Sequence, residues 1–202
     1  MSANTEPRKR PSRRSGEDIV ASILDAGSSL LMETGLEPMT TNAIAKRAGV
    51  SIGSLYQYFP SKEAVIAGVA RRINQKVQDG IRAALEQEGS AEERVHNAIQ
   101  VFCSSSVGDV ALRRRLLAEV PRSWDHTAIE EAEEEVFALF GPVMNELFPA
   151  MSEAALHARK VAMIFAVRGA VQGALLYAPE LLEDGRLGQI VSDLVLSARR
   201  RS

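Results

Sequence analysis

The segment Thr40–Lys62, TTNAIAKRAGVSIGSLYQYFPSK, leaves this chain few folds to choose from. It reads as two short helices, about Thr41–Ala48 and Ile52–Phe59, joined by a tight turn. Ala43, Ile44 and Ala48 share the inner face of the first. Gly49 supplies the turn, where the backbone needs a positive φ. Ser51 caps the second helix, whose exposed face shows Ser54, Gln57 and Tyr58, with Tyr56 beside them. A further helix begins after Pro60 and Ser61. This is a helix-turn-helix with a polar, aromatic-bearing second helix, the shape that enters a DNA major groove.

The rest of the chain is also helical, and no strand pattern is present. Ile19, Ile23, Ala26 and Leu30 form one stripe of a helix over about Gly16–Thr34, which Gly35 stops. After Ser61, Val65, Val69, Ile73, Val77, Ile81 and Leu85 recur at helical spacing, long enough to join head to body. Gly80 costs that helix roughly 1 kcal/mol relative to alanine. Ser90-Ala-Glu-Glu93 is a capping box and starts another helix. A short helix follows Gly108-Asp109 and ends before Pro121. Residues 123–148 form a further helix that Gly141-Pro142 should kink or split. Ser152 to about Ala178 is long and largely apolar, and a final helix covers about Arg186–Arg200. The expected fold is all-α: a basic disordered arm (1–14), a three-helix head (15–61) and a helical body (62–202).

Net charge is only −2, but its distribution is uneven: residues 7–14, PRKRPSRR, hold five basic residues and no acid, whereas residues 130–135 read EEAEEE. A basic end that meets a polyanion fits this asymmetry. The arm Arg8–Arg14 either tracks phosphates and the minor groove or is a solubilising tail. Deleting it tests the first reading through the salt slope. Cys103, the single cysteine, excludes an internal disulfide framework and fits a reducing cytoplasm. No apolar run is read as a membrane span, and no apolar region follows the basic N-terminus as in a secretory signal. His96, His126 and His157 are scattered without metal-ligand spacing, and no nucleotide loop or nucleophile motif occurs. No catalytic role, metal or cofactor is expected.

The run T-T-x-x-I-A-x-x-A-G-V-S-x-G-S-L-Y-x-Y-F-x-S-K is similar to the DNA-binding signature of the tetracycline-repressor (TetR) family, over roughly residues 15–65. Beyond that, the chain resembles the family only in length, helical pattern and order. Thr41 lies in a first helical turn, where N–H groups and the dipole favour phosphate. Asn42 and Gln57 carry amides suited to adenine edges. Ser51 and Ser54 are small donors, and Gly53 presents no side chain, so the helix can approach closely. Tyr56 resembles the family's phosphate-binding tyrosine. Tyr58 stands where histidine is common, with phosphate or a thymine methyl as its target. The family uses the lysine at Lys62 on phosphate. The plainer alternatives are capping for Thr40–Asn42, packing for the two tyrosines and solvation for Lys62.

One recognition helix reads few base pairs, so specific binding to a palindrome calls for a two-fold homodimer. The last two long helices are the expected interface, with Gly169, Gly173, Leu187, Val191 and Leu194 as its candidates. By resemblance, the body encloses a pocket for an unidentified small molecule that releases operator DNA. Its candidates are Phe102, Trp124, Phe137, Arg168 and Gln172, the last two polar groups four apart on an apolar helix. Arg168 could instead pair with Glu119 across the core. The resemblance implies a repressor whose ligand favours a form with wrongly spaced heads. A DNA-binding protein without such a ligand, controlled by a protein partner or acting as an activator, is the alternative.

Overall fold

The structure, a computed structural model, describes residues 16–104, 109–121 and 126–197, without the side chains of 126–133. These residues form ten α-helices: α1 (Gly16–Thr34), α2 (Thr41–Ala48), α3 (Ile52–Tyr58), α4 (Lys62–Leu85), α5 (Ala91–Cys103), α6 (Val110–Glu119), α7 (His126–Leu147), α8 (Glu153–Tyr177), α9 (Glu180–Glu183) and α10 (Arg186–Ser197). The basic arm lies outside the described residues.

Helix ends follow local chemistry. Thr40, Ser51, Ser61, Ser90, Asp109 and Ser152 each accept a backbone N–H at a helix start, where four donors lack partners. Ser90 and Glu93 complete the reciprocal capping box. Gly49 closes α2 at φ 67°, in the left-handed region that its missing Cβ opens to it.

Two apolar cores result. The head core joins α1, α2 and α3 to the first turns of α4, around Ile23, Leu31, Ile44, Leu55, Ile66 and Val69. The body core gathers the rest of α4 with α5, α7, α8 and α10, around Ile81, Val95, Ile99, Met144 and Val171. Arg82–Glu135 and Arg94–Glu146 ion pairs tie α7 to α4 and α5.

Three expectations change here. Helix α7 runs through Pro142 as one element and is not split. Phe140, Val143, Met144 and Leu147 are buried on both sides of the proline, so packing offsets the lost hydrogen bond. Secondly, α8 is long and apolar enough to cross a membrane by length and composition, since Val161–Tyr177 contains one charge, Arg168. It is apolar nearly all round because separate faces meet the core, a cavity and the outside. Thirdly, the single-turn α9 was absent from the expected elements, because four residues show no periodicity to read.

Candidate nucleic-acid interface and adjoining cavity

Helix α3 stands out from the head. Leu55 is fully buried beneath it, while Ser51, Gly53, Tyr56, Gln57 and Tyr58 are exposed. Ser51 Oγ accepts from Ser54 N at 3.0 Å and lies 2.8 Å from Ser54 Oγ, so both hydroxyls are engaged in the cap. A Cβ at Gly53 would meet only Ser51 Oγ, 3.8 Å away. Among the described residues nothing crowds that position, and its bare backbone is exposed. Thr41 Oγ1 and Tyr56 Oη are 3.0 Å apart, so the start of α2 and the face of α3 form one polar strip. Asn42 is exposed beside it.

Two expected contacts are placed differently. Lys62 Nζ donates to the carbonyls of Leu36 and Glu37, at 3.1 Å each. Its ammonium therefore braces the α1–α2 turn, with one of its three N–H groups left over. Tyr58 leans towards α1: its hydroxyl lies 3.0 Å from where a Cβ of Gly16 would stand. Its ring is thus a brace between α3 and α1 as well as a surface group. Arg47 forms a bidentate pair with Glu33 at 2.7 and 2.6 Å; this pair pulls the Glu33 carboxyl below its ordinary range.

Below the head lies a cavity of about 480 Å³, within the size range of small-molecule sites. Its walls come from α4, α5, α6, α7, α8 and α10 and are chiefly aliphatic, with Phe102 and Phe140 among them. Arg168 and Gln172 line it as expected, and so does Phe102. Phe137 does not. Its ring packs against Phe165, centroids 6.1 Å apart, with Lys160 Nζ 5.7 Å from its centre. Trp124 lies outside the described residues. Glu119 does not serve Arg168 as its counter-ion across the core: its carboxylate accepts from Leu36 N and Arg115, both at 2.8 Å. The Leu36 amide, with Arg115 in support, holds that carboxyl below the usual range.

Cys103 is buried next to the cavity wall, and desolvation pushes its thiol up to about 11 despite the nearby Arg113. That environment keeps it a thiol. Among the described residues, no group of three or more His, Cys, Asp or Glu could hold a metal ion.

The family model for bacterial regulatory proteins of the tetR family matches residues 23–69, the three helices of the head and the first turns of α4. The match to the tetR family is carried by this head. Among curated tetR-like relatives, it is 36% identical over 87 residues to the nucleoid occlusion factor SlmA of Haemophilus ducreyi, covering 43% of each chain. It is 32% identical over 98 residues to the HTH-type transcriptional regulator EthR of Mycolicibacterium smegmatis, covering 48% of this chain and 45% of that one. The chain thus spans less than half the length of these relatives. Whole-chain likeness comes from solved structures. A transcriptional regulator from Pseudomonas aeruginosa PAO1 superposes with TM-score 0.73 at 18% identity, over 94% of this chain and 96% of that one. FadR from Bacillus subtilis in complex with stearoyl-CoA gives 0.71 at 17%, over 88% and 97%. These identities carry the fold alone.

In the body, the sequence reading missed Arg71, Asn74, Gln78, Arg113 and Lys160 as cavity residues. They sit on three helices far apart in sequence. The only local signal was a polar residue on an otherwise apolar stripe, which singled out Arg168 and Gln172.

The interface expectation needs a sharper correction. Leu187 and Val191 are 6% and 4% exposed within one chain, packed in the body core. The outward face of α10 carries Ile190 at 48% exposure and, of the expected residues, Leu194 at 68%. On α8, Phe165, Leu176 and Tyr177 face out, and a Cβ on Gly169 or Gly173 would meet nothing within 4 Å.

Proposed function

We propose that the chain is a ligand-responsive transcriptional regulator, a repressor, which binds palindromic operator DNA as a homodimer in the cytoplasm. A small molecule in the body cavity releases it. One observation carries the ligand half of this reading. Within two turns of α4, Val65, Ile66 and Val69 belong to the head core, while Ala67, Ala70 and Arg71 line the cavity. A ligand that displaces the cavity wall therefore moves the seat of the recognition helix. Only the difference in ligand affinity between the two forms drives release.

For DNA, Thr41, Asn42, Gly53, Tyr56 and Gln57 form the reading surface. Gln57 and Asn42 address base edges, and Tyr56 and Thr41 address phosphate. The second copy joins through α8 and α10. Exposed apolar side chains on both helices, with open space at Gly169 and Gly173, support that face as a helix-to-helix contact.

Selection of random DNA fragments on the full chain tests the regulator. The expected product is a palindrome with half-sites about one helical turn apart. Absence of any enriched sequence at low or high salt would refute specific readout. Thermal shifts against a metabolite library then test the effector, because a ligand of the native state raises its melting temperature. An operator recovered without any stabilising or releasing ligand would leave the effector-free alternative.

A further inference from the structure

The charges that line the cavity specify what it takes up. Its described lining includes four cationic side chains, Arg71 on α4, Arg113 on α6 and Lys160 and Arg168 on α8, and no Asp or Glu.

Arg113 makes the point most strongly. It is only 9% exposed. Its described acceptors are neutral backbone carbonyls, those of Ser104 at 3.1 Å and Phe102 at 3.4 Å. Carbonyl dipoles offset part of the cost of burying a guanidinium, but they do not neutralise it. Lys160 likewise rests over the Phe137 ring, a neutral neighbour. The remaining wall is hydrocarbon with three amides, Asn74, Gln78 and Gln172. A cationic ligand would add repulsion. A neutral apolar ligand would leave the buried charge as it is. A sugar-like polyol would leave hydroxyls unpaired against aliphatic walls.

We infer that the cavity takes an amphipathic anion, a molecule with an apolar body and one acidic head, and that Arg113 and Lys160 receive the head. This rests on the effector reading above and narrows it to one chemical class.

The test uses the full-length chain and the neutral fluorescent probe N-phenyl-1-naphthylamine, whose emission rises in apolar sites. Three twelve-carbon competitors, all below micelle-forming concentration, differ only in their heads: dodecanoate, 1-dodecanol and dodecylammonium. Dodecanoate displaces the probe at a concentration at least tenfold lower than dodecanol, a difference of about 1.4 kcal/mol, and dodecylammonium is weakest. Arg113→Met and Lys160→Met each shrink the preference for dodecanoate while leaving the potency of dodecanol unchanged. Arg113 also ties α6 to the end of α5, so Lys160→Met carries the test if Arg113→Met fails to fold.

Dodecanol or dodecylammonium matching dodecanoate would overturn the anion assignment and leave the cavity reading standing. A preference for dodecanoate that survives both substitutions would also overturn it. A probe that never gains emission would sink both, since the cavity would then admit no apolar ligand.

Discussion

A Cβ on Gly80 would lie 2.7 Å from Val101 Cγ1, where α4 crosses α5. Valine is stiff at χ1 and cannot swing aside cheaply. Gly80→Ala therefore lowers stability by roughly 1 kcal/mol, against the similar gain that helix propensity alone would give; thermal denaturation reads the sign. Sequence could show that this glycine weakens a helix, but not that a neighbour 21 positions later needs the space. On the reading surface, two substitutions separate two roles. Gln57→Ala costs ~1–3 kcal/mol on the selected operator and relaxes one base position. Tyr56→Phe is expected to weaken binding to every sequence alike, because it removes the hydroxyl, shared with Thr41, that is proposed to address phosphate. Fluorescence anisotropy on operator and single-base variants distinguishes the two patterns. The residue types of this surface were legible because α3 is local: its cap, buried leucine and exposed polar face all lie within one short segment. Lys62 and Tyr58 were less legible, since their partners, Leu36, Glu37 and Gly16, lie on other segments.

At the scale of elements, the α1–α2 turn is held from two sides. Glu119 of α6 accepts the Leu36 amide, while Lys62 of α4 donates to the Leu36 and Glu37 carbonyls. Both helices also line the cavity, α6 through Leu116 and Leu117, and α4 through Ala67 and Ala70. The turn leading into α2 is thus fastened to two walls of the cavity. Glu119→Ala lowers stability by about 1 kcal/mol, leaving the Leu36 amide without its acceptor. The acid dependence follows from the depressed carboxyl of Glu119. Its stabilisation is full above the unfolded carboxylate value of about 4.3 and is lost as pH falls through the lower folded value. Glu119→Gln keeps an acceptor for Leu36 but removes this part of the acid dependence, which denaturation curves at stepped acidic pH would show. A variant as acid-sensitive as the parent would mean that Glu119 contributes nothing there. Helix boundaries were largely readable from caps and periodicity, as in Ser90–Glu93. The cavity was not, because its polar lining assembles from α4, α6 and α8, and no periodicity within one helix reports that.

For the whole molecule, α8 poses the largest question of burial. Val167, Val171, Ala174 and Leu175 enter the core, and Met163, Ile164, Arg168 and Gln172 meet the cavity. Phe165, Leu176 and Tyr177 still face out, Tyr177 at 86% exposure, alongside Ile190 and Leu194 of α10. A helix apolar nearly all round is ordinarily covered all round, and in the proposed dimer a second copy supplies the cover by two-fold symmetry. Two substitutions one helical turn apart on α10 test this. Val191 is buried within its own chain, so Val191→Glu buries an uncompensated charge and unfolds the protein. Leu194 is 68% exposed in one chain, so Leu194→Glu leaves the fold intact. In the proposed dimer the same carboxylate would be buried in an apolar seam. Sedimentation of Leu194→Glu is expected to give a folded monomer, with helical content unchanged and operator affinity reduced at least tenfold because one head reads one half-site. A Leu194→Glu protein that remains dimeric and binds the operator normally would move the interface off this face. A parent chain that sediments as a monomer at micromolar concentration would remove the dimer from the mechanism, and with it the coupling of head spacing to the cavity.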